Sequence, residues 1–86
     1  PYFQAASYYY ETNKDLKQAL GWVDKAIEQN PKAYWVVLLK AKIQAKLKDN
    51  KAAITTAEQV VALAKEDKND DYVKMAEKLI AEAKKG

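Results

Sequence analysis

Cysteine and histidine are absent from this chain of 86 residues. The first absence excludes disulfides and thiol nucleophiles, and together they remove the commonest general base and the usual zinc ligands. Carboxylate pairs such as Asp24 and Glu28 lie four residues apart on a polar helix face, where solvated charges are expected. We therefore predict a chain that is not an enzyme and that uses no cofactor and no metal.

Arginine is also absent, and all 15 basic residues are lysines. Arginine makes the bidentate phosphate and guanine contacts of most nucleic-acid readers. Residues 32–51 hold six lysines against one aspartate, but these lysines scatter around a helix and no row of aromatic residues accompanies them. A solvated surface is therefore predicted there, and nucleic acid is the less favoured partner.

Glycine and proline occur only twice each, which argues against a disordered or β-rich chain. The 49% hydrophobic and 31% charged fractions and the net charge of +3 fit one small, monomeric domain over residues 1–86. No apolar run approaches the roughly 20 residues that span a bilayer. Because the sequence starts at Pro1 without an initiator methionine, we interpret it as a fragment of a longer protein.

The segment 33–47, AYWVVLLKAKIQAKL, has two apolar stripes on opposite sides when it is drawn as a helix. One stripe contains Tyr34, Leu38, Ala41 and Ala45, and the other contains Val36, Leu39, Ile43 and Leu47. Lys40, Lys42, Gln44 and Lys46 occupy the two seams between them. A helix of this kind needs a neighbour on each side, so it is predicted to be the centre of a helical stack.

Four further helices are predicted around it, over residues 2–13, 16–29, 52–64 and about 70–85. Asp15 is a predicted N-cap, and Asn30 is expected to end the second helix in a left-handed conformation before Pro31. The polar run 65–71 is the clearest loop, in which Asn69 caps an acidic first turn. The predicted fold is all-α, with two stacked antiparallel hairpins and a C-terminal capping helix.

A shift of 34 residues superposes Asp15 on Asp49 and Ile27 on Val61, and 34 is the period of the tetratricopeptide repeat. The first unit, about 1–33, resembles that family at Tyr10, Ala19, Ala26 and Pro31, with Phe3 and Ser7 as near-matches. In the second unit, about 34–67, only Ala53 matches, while Ala41 substitutes for a glycine and several other positions differ.

Two longer segments, YFQAASYYYETNKDLKQALGWVDKAIEQNPKAYW and NDDYVKMAEKLIAEAKK, carry a second resemblance. They resemble the helical C-terminal tail of a family of uncharacterised exported proteins of Bacteroidetes-type bacteria. In that family the tail follows a β-rich domain of unknown function. The resemblance implies an exported parent protein truncated at Pro1, and it implies no particular activity.

The tetratricopeptide resemblance implies a concave face that binds a peptide or protein partner. It places six residues there: Gln4, Tyr8, Glu11, Trp35, Lys42 and Lys46. The helical wheel independently puts Trp35, Lys42 and Lys46 in one seam, where a ring beside two ammonium groups suits an acidic peptide. The alternative is that Trp35 belongs to the core and the lysines only solvate the seam.

A different function is indicated by the many aromatic residues near the start of the chain. Six of them fall within the first two predicted helices, too many for the inward faces. Tyr9 and Trp22 are therefore candidates for a patch that docks on an N-terminal domain of the same parent protein. In this alternative the chain is a structural arm.

Overall fold

The computed structural model describes residues 1–86 as five α-helices without any strand. The helices are α1 (Tyr2–Glu11), α2 (Leu16–Gln29), α3 (Tyr34–Lys46), α4 (Asn50–Glu66) and α5 (Asp70–Lys85). This confirms the predicted all-α class and the number of helices. Each helix contacts the next one along the chain, as a stack of helical hairpins requires.

Side-chain caps fix where three of the helices begin. Asp15 accepts a hydrogen bond from the Gln18 amide (3.1 Å), and Asn69 accepts one from the Tyr72 amide (3.2 Å), as predicted. Asp49 caps α4 through the Ala52 amide (3.4 Å). Since this cap starts α4 at Asn50 and the helix continues to Glu66, the helix is longer than the predicted 52–64 and the following loop is shorter.

The second helix ends at Gln29, before Asn30 and Pro31, as predicted, but Asn30 is not in a left-handed conformation. Its φ is −150°, in the extended region to which a following proline restricts the preceding residue. Left-handed residues occur instead at Asn13, Lys48 and Lys68, each one position after a C-cap. The first of these turns ends α1 at Glu11, two residues earlier than expected.

The central helix α3 is buried on two sides, as its sequence predicted. Val36, Leu39 and Ile43 pack in one cluster against α1 and α2, together with Ala6, Ala19, Val23 and Ala26. Tyr34, Val37, Leu38 and Ala41 pack in a second cluster against α4 and α5, together with Ala57, Val60, Ala64 and Ala76. The core of the protein is therefore divided into two halves by α3.

One of the predicted seam residues is buried instead of exposed. Gln44 accepts a hydrogen bond from the Thr56 hydroxyl (2.7 Å), and both side chains are buried. The pair lies between α3 and α4, where the prediction had placed solvent. A buried amide is tolerated there because the facing helix supplies a polar partner.

The helices α1, α3 and α5 run parallel to one another along one face of the stack. Their parallel orientation follows from contacts at matching ends: Lys46 of α3 reaches Tyr10 of α1, and the ring of Tyr34 of α3 meets that of Tyr72 of α5 edge to face. α3 touches both α1 and α5 directly, in addition to its neighbours in sequence. None of the five helices combines the length and the apolar character needed to cross a lipid bilayer.

Replacing Ala26 by tryptophan is expected to lower the free energy of unfolding by about 1–3 kcal/mol. Ala26 is buried in the first cluster, so an indole ring at this position would have to displace its neighbours. Urea denaturation followed by circular dichroism measures the change. Ala62, which is exposed on α4, provides the matched Ala→Trp control, and a neutral effect at Ala26 would contradict the observed helix register.

Candidate functional site

A groove runs along the face formed by α1, α3 and α5. It consists of two adjoining cavities of about 400 and 510 Å³ that share the side chains of Tyr10, Lys42 and Met75. We call this pair of cavities the central groove. It is lined by Phe3, Ser7, Tyr10 and Glu11 of α1, by Trp35, Leu38, Leu39, Lys42, Ala45 and Lys46 of α3, by Lys48, and by Tyr72, Met75, Lys78, Leu79 and Glu82 of α5.

One end of the central groove is mainly apolar, because rings from near the N-termini of α1, α3 and α5 line it. Phe3, Trp35 and Tyr72 line this end, and Met75 lies where the two cavities join. Trp35 is 46% exposed and Met75 is 42% exposed, so both present apolar surface to water. The interpretation of Trp35 as a core residue is therefore wrong.

The opposite end of the central groove is basic. Lys42, Lys46, Lys48 and Lys78 line it, against the single carboxylate of Glu82. The only ion pair of the protein joins Lys40 to Asp24 (2.8 Å), so none of these four lysines is paired with a carboxylate. A concentration of unpaired positive charge in a concave surface attracts anionic groups.

Lys46 differs from the other lysines because its ammonium group is occupied by the protein itself. Its Nζ donates to the backbone carbonyl of Tyr10 (3.1 Å) near the C-terminal end of α1. The same nitrogen lies 4.3 Å from the centre of the Tyr10 ring. These contacts suit a helix C-terminus, which carries partial negative charge, and they leave Lys42, Lys48 and Lys78 as the free cations of the groove.

Four of the six residues predicted for the concave face line the central groove: Glu11, Trp35, Lys42 and Lys46. Gln4 and Tyr8 are exposed but line neither cavity. Tyr8 lies on the outer side of α1, where its ring contacts Tyr9 and lies beside the ammonium group of Lys14 (5.0 Å). The structure therefore brings together most of the predicted set and leaves these two residues apart.

Sequence reasoning missed Met75, Lys48 and Lys78. Met75 and Lys78 were overlooked because α5 was treated only as a capping helix. In the fold α5 runs parallel to α3 and contacts it directly. Lys48 lies in a left-handed turn after α3 and had no place on a helical wheel. A helical wheel drawn for α5 as a third groove helix could have found Met75 and Lys78.

Tyr9 and Trp22, the predicted docking patch, are both half-buried. Their rings meet edge to face with centres 4.6 Å apart, and both pack against the cluster between α1, α2 and α3. Less ring surface is therefore left bare than the sequence suggested. Among the early aromatic residues, only Tyr8 is strongly exposed, at 53%.

A polar network fixes the turn between α4 and α5 beside the apolar end of the groove. The Tyr34 hydroxyl donates to the Asp67 carboxylate and accepts from the Asn69 amide nitrogen (3.1 Å). The hydrogen bond to Asp67 raises the pKa of Tyr34 above its ordinary value. Tyr34 also contacts the ring of Trp35 edge to face (5.3 Å). The network therefore fixes the position of a ring that packs against the exposed indole.

The acidic residues of this turn do not form a cluster with metal-binding geometry. No group of three or more aspartate or glutamate side chains is arranged to hold a metal ion anywhere in the chain. Asp67 instead binds the Tyr34 hydroxyl, and Asp70 and Asp71 lie in the first turn of α5. Negative charge at this position favours the helix dipole.

Comparison of the chain with protein-family models, with characterised proteins and with solved structures gave no match. The fold and the groove define the class of protein: an all-α stack of five helices with a concave face that is partly apolar and partly basic. Its assignment to the tetratricopeptide repeats stays a prediction from the spacing of residues.

Proposed function

We propose that this protein is a non-catalytic interaction module of the tetratricopeptide type, which binds a peptide segment of a partner protein in the central groove. The observation that carries the proposal is the exposure of Trp35 and Met75 in one groove beside unpaired lysines. Large exposed apolar side chains within a concave surface are typical of binding sites.

Trp35 and Met75 have the properties of binding anchors. Tryptophan is enriched among the interface residues that contribute most to affinity, because a large flat ring loses much water contact on binding. Methionine adapts its shape to different ligands, since its side chain is unbranched and polarisable. Together these residues favour a ligand side chain that is inserted between α3 and α5.

The repeat assignment is supported by the two aspartates that lie 34 residues apart. Asp15 and Asp49 each cap the second helix of a pair through the amide three residues later. The helix preceding each of them, α1 or α3, lines the groove, and α5 stands where the first helix of a third pair would lie. This alternation is the arrangement by which helical repeats build an extended concave surface.

Selection from a displayed library of random peptides tests the proposal. Ligands selected on the unaltered protein are expected to lose about tenfold or more in affinity when Trp35→Ala or Lys42→Glu is introduced, which corresponds to about 1.4 kcal/mol or more. Tyr8→Ala and Lys17→Glu are the matched controls, because both side chains are exposed and neither lines the groove.

Two outcomes would contradict this function. Selected peptides whose affinity survives the combined Trp35→Ala and Lys42→Glu changes would show that binding occurs elsewhere. Loss of binding with Tyr8→Ala instead of Trp35→Ala would move the site to the outer side of α1. Circular dichroism of each variant separates lost binding from lost structure.

The alternative function is that of a structural arm that docks on another domain of its own parent protein. It is favoured by a row of aromatic rings on the side of α1 and α2 away from the groove. Tyr8 contacts Tyr9 at 6.2 Å, and Tyr9 contacts Trp22 at 4.6 Å. Hydrogen exchange of α2, which does not line the groove, distinguishes the two functions. Docking adds protection to α1 and α2 in a longer parent protein, whereas peptide binding protects the groove helices α1, α3 and α5 and leaves α2 unchanged.

A further inference from the structure

We infer that the ligand of the central groove is bipartite: a peptide with an apolar side chain for the Trp35 end and acidic side chains for the lysine end, about three to six residues apart. This inference rests on the proposed function and adds the chemistry and the spacing of the ligand. It follows from the asymmetry of the groove along its length.

The asymmetry results from the parallel orientation of α1, α3 and α5. All three N-terminal halves contribute rings to one end, where Phe3, Trp35 and Tyr72 lie. The C-terminal halves of α3 and α5 and the turn after α3 contribute ammonium groups to the other end, where Lys42, Lys48 and Lys78 lie. A ligand of uniform composition would complement only one half of this surface.

The charges of the groove favour one placement of an acidic group. At the lysine end three ammonium groups have no partner within the protein, and only Glu82 opposes them. The cavity of the apolar end holds one carboxylate, Glu11, and one ammonium group, that of Lys42, which both cavities share, so its charges balance and a ligand carboxylate gains less there. Charge complementarity therefore assigns acidic residues to the lysine end and an uncharged side chain to the Trp35 end.

The helix geometry sets the spacing. Trp35 and Lys42 are two turns apart on α3, about 10 Å along the axis, and Tyr72 and Lys78 on α5 are about 9 Å apart. Lys48 lies in the turn beyond the end of α3, and that helix end is about 17 Å from Trp35 along the axis. An extended peptide advances about 3.3 Å per residue, so about three residues bridge the nearer lysines and about six reach the farther one.

Synthetic peptides with rigid spacers test both the composition and the spacing. Each carries one leucine and two adjacent glutamates, separated by a single proline, by roughly three prolines spanning about 12 Å, or by roughly nine prolines spanning about 31 Å. A matched peptide replaces both glutamates by glutamine. Binding is followed by the fluorescence of Trp35 in the Trp22→Phe variant, which removes the second indole.

The peptide with the intermediate spacer is expected to bind about tenfold or more tightly than the other two and than its glutamine version. Lys48→Gln with Lys78→Gln is expected to remove the advantage of the glutamate peptide and to leave the glutamine peptide unchanged. Lys17→Gln with Lys65→Gln is the matched control, because both lysines are exposed outside the groove.

The outcomes separate the inference from the proposed function. Binding that is indifferent to the spacer or to the glutamates, while still sensitive to Trp35→Ala, would overturn the bipartite ligand and preserve the peptide-binding groove. No binding of any of these peptides at about 1 mM, together with a failed library selection, would overturn both. Tighter binding of a DNA oligonucleotide than of every peptide would overturn both as well and favour a polyanion ligand.

Discussion

Replacing Ile43 by alanine is expected to lower the free energy of unfolding by about 2–5 kcal/mol. Ile43 is one of the largest fully buried side chains, and it packs from α3 into the cluster formed with α1 and α2. Its truncation leaves a cavity at the centre of the stack, which small neighbours such as Ala6 and Ala19 cannot fill. A domain of this size has a total stability on the order of 5–10 kcal/mol, so the variant is expected to be partly unfolded at 37 °C.

Chemical denaturation at 25 °C measures this change, and Ile54→Ala is the matched control. Ile54 lies on α4, is half-exposed and belongs to neither buried cluster, so the same substitution is expected to reduce stability by about 1 kcal/mol. Equal losses at the two positions would mean that α3 is not the helix on which the core depends.

Replacing Thr56 by valine is expected to reduce stability by about 1–3 kcal/mol, because it leaves the buried carbonyl oxygen of Gln44 without a donor. Replacing Gln44 by leucine alone is also expected to be destabilising, because it leaves the buried Thr56 hydroxyl without its acceptor. The two changes together are expected to be nearly neutral, because no polar group is then left unpaired between α3 and α4.

A double-mutant cycle measured by denaturation checks this pair. The expected coupling energy is about 1 kcal/mol or more, the range observed for groups in direct contact. Thr55→Val supplies the control, because Thr55 is exposed on the same helix and its hydroxyl bonds only to the Lys51 carbonyl. Additive losses at Gln44 and Thr56 would show that their hydrogen bond does not contribute to stability.

The candidate groove could be predicted only in part from the sequence. Trp35 and Lys42 could be placed together because they lie two turns apart on one helix, and this spacing depends on nothing beyond the helix itself. Met75 and Lys78 could not be joined to them, since they belong to a helix about 35 residues farther along the chain. Their place in the groove depends on the contact of α3 with α5 across the stack.

The burial of the aromatic residues likewise depended on long-range contacts. From the sequence, Trp35 could belong either to the core or to the surface, and Tyr9 and Trp22 were expected to be exposed. In the fold Trp35 stays exposed at the groove, whereas Tyr9 and Trp22 cover each other across the contact of α1 with α2. A helical wheel cannot predict this outcome, because it gives the direction of a side chain and not the neighbour that it meets.

The local features of the protein were determined by the sequence alone. Apolar residues at helical spacing and the caps at Asp15 and Asn69 define most of the helices, and the two stripes of α3 require neighbours on both sides. These features depend on residues within a few turns of each other. Tertiary structure decided the pairing of Gln44 with Thr56 and the joining of α1, α3 and α5 into one groove. The hydrogen bond and the groove both depend on which sides of the helices face one another. The packing of α3 against two buried clusters at once determines that arrangement.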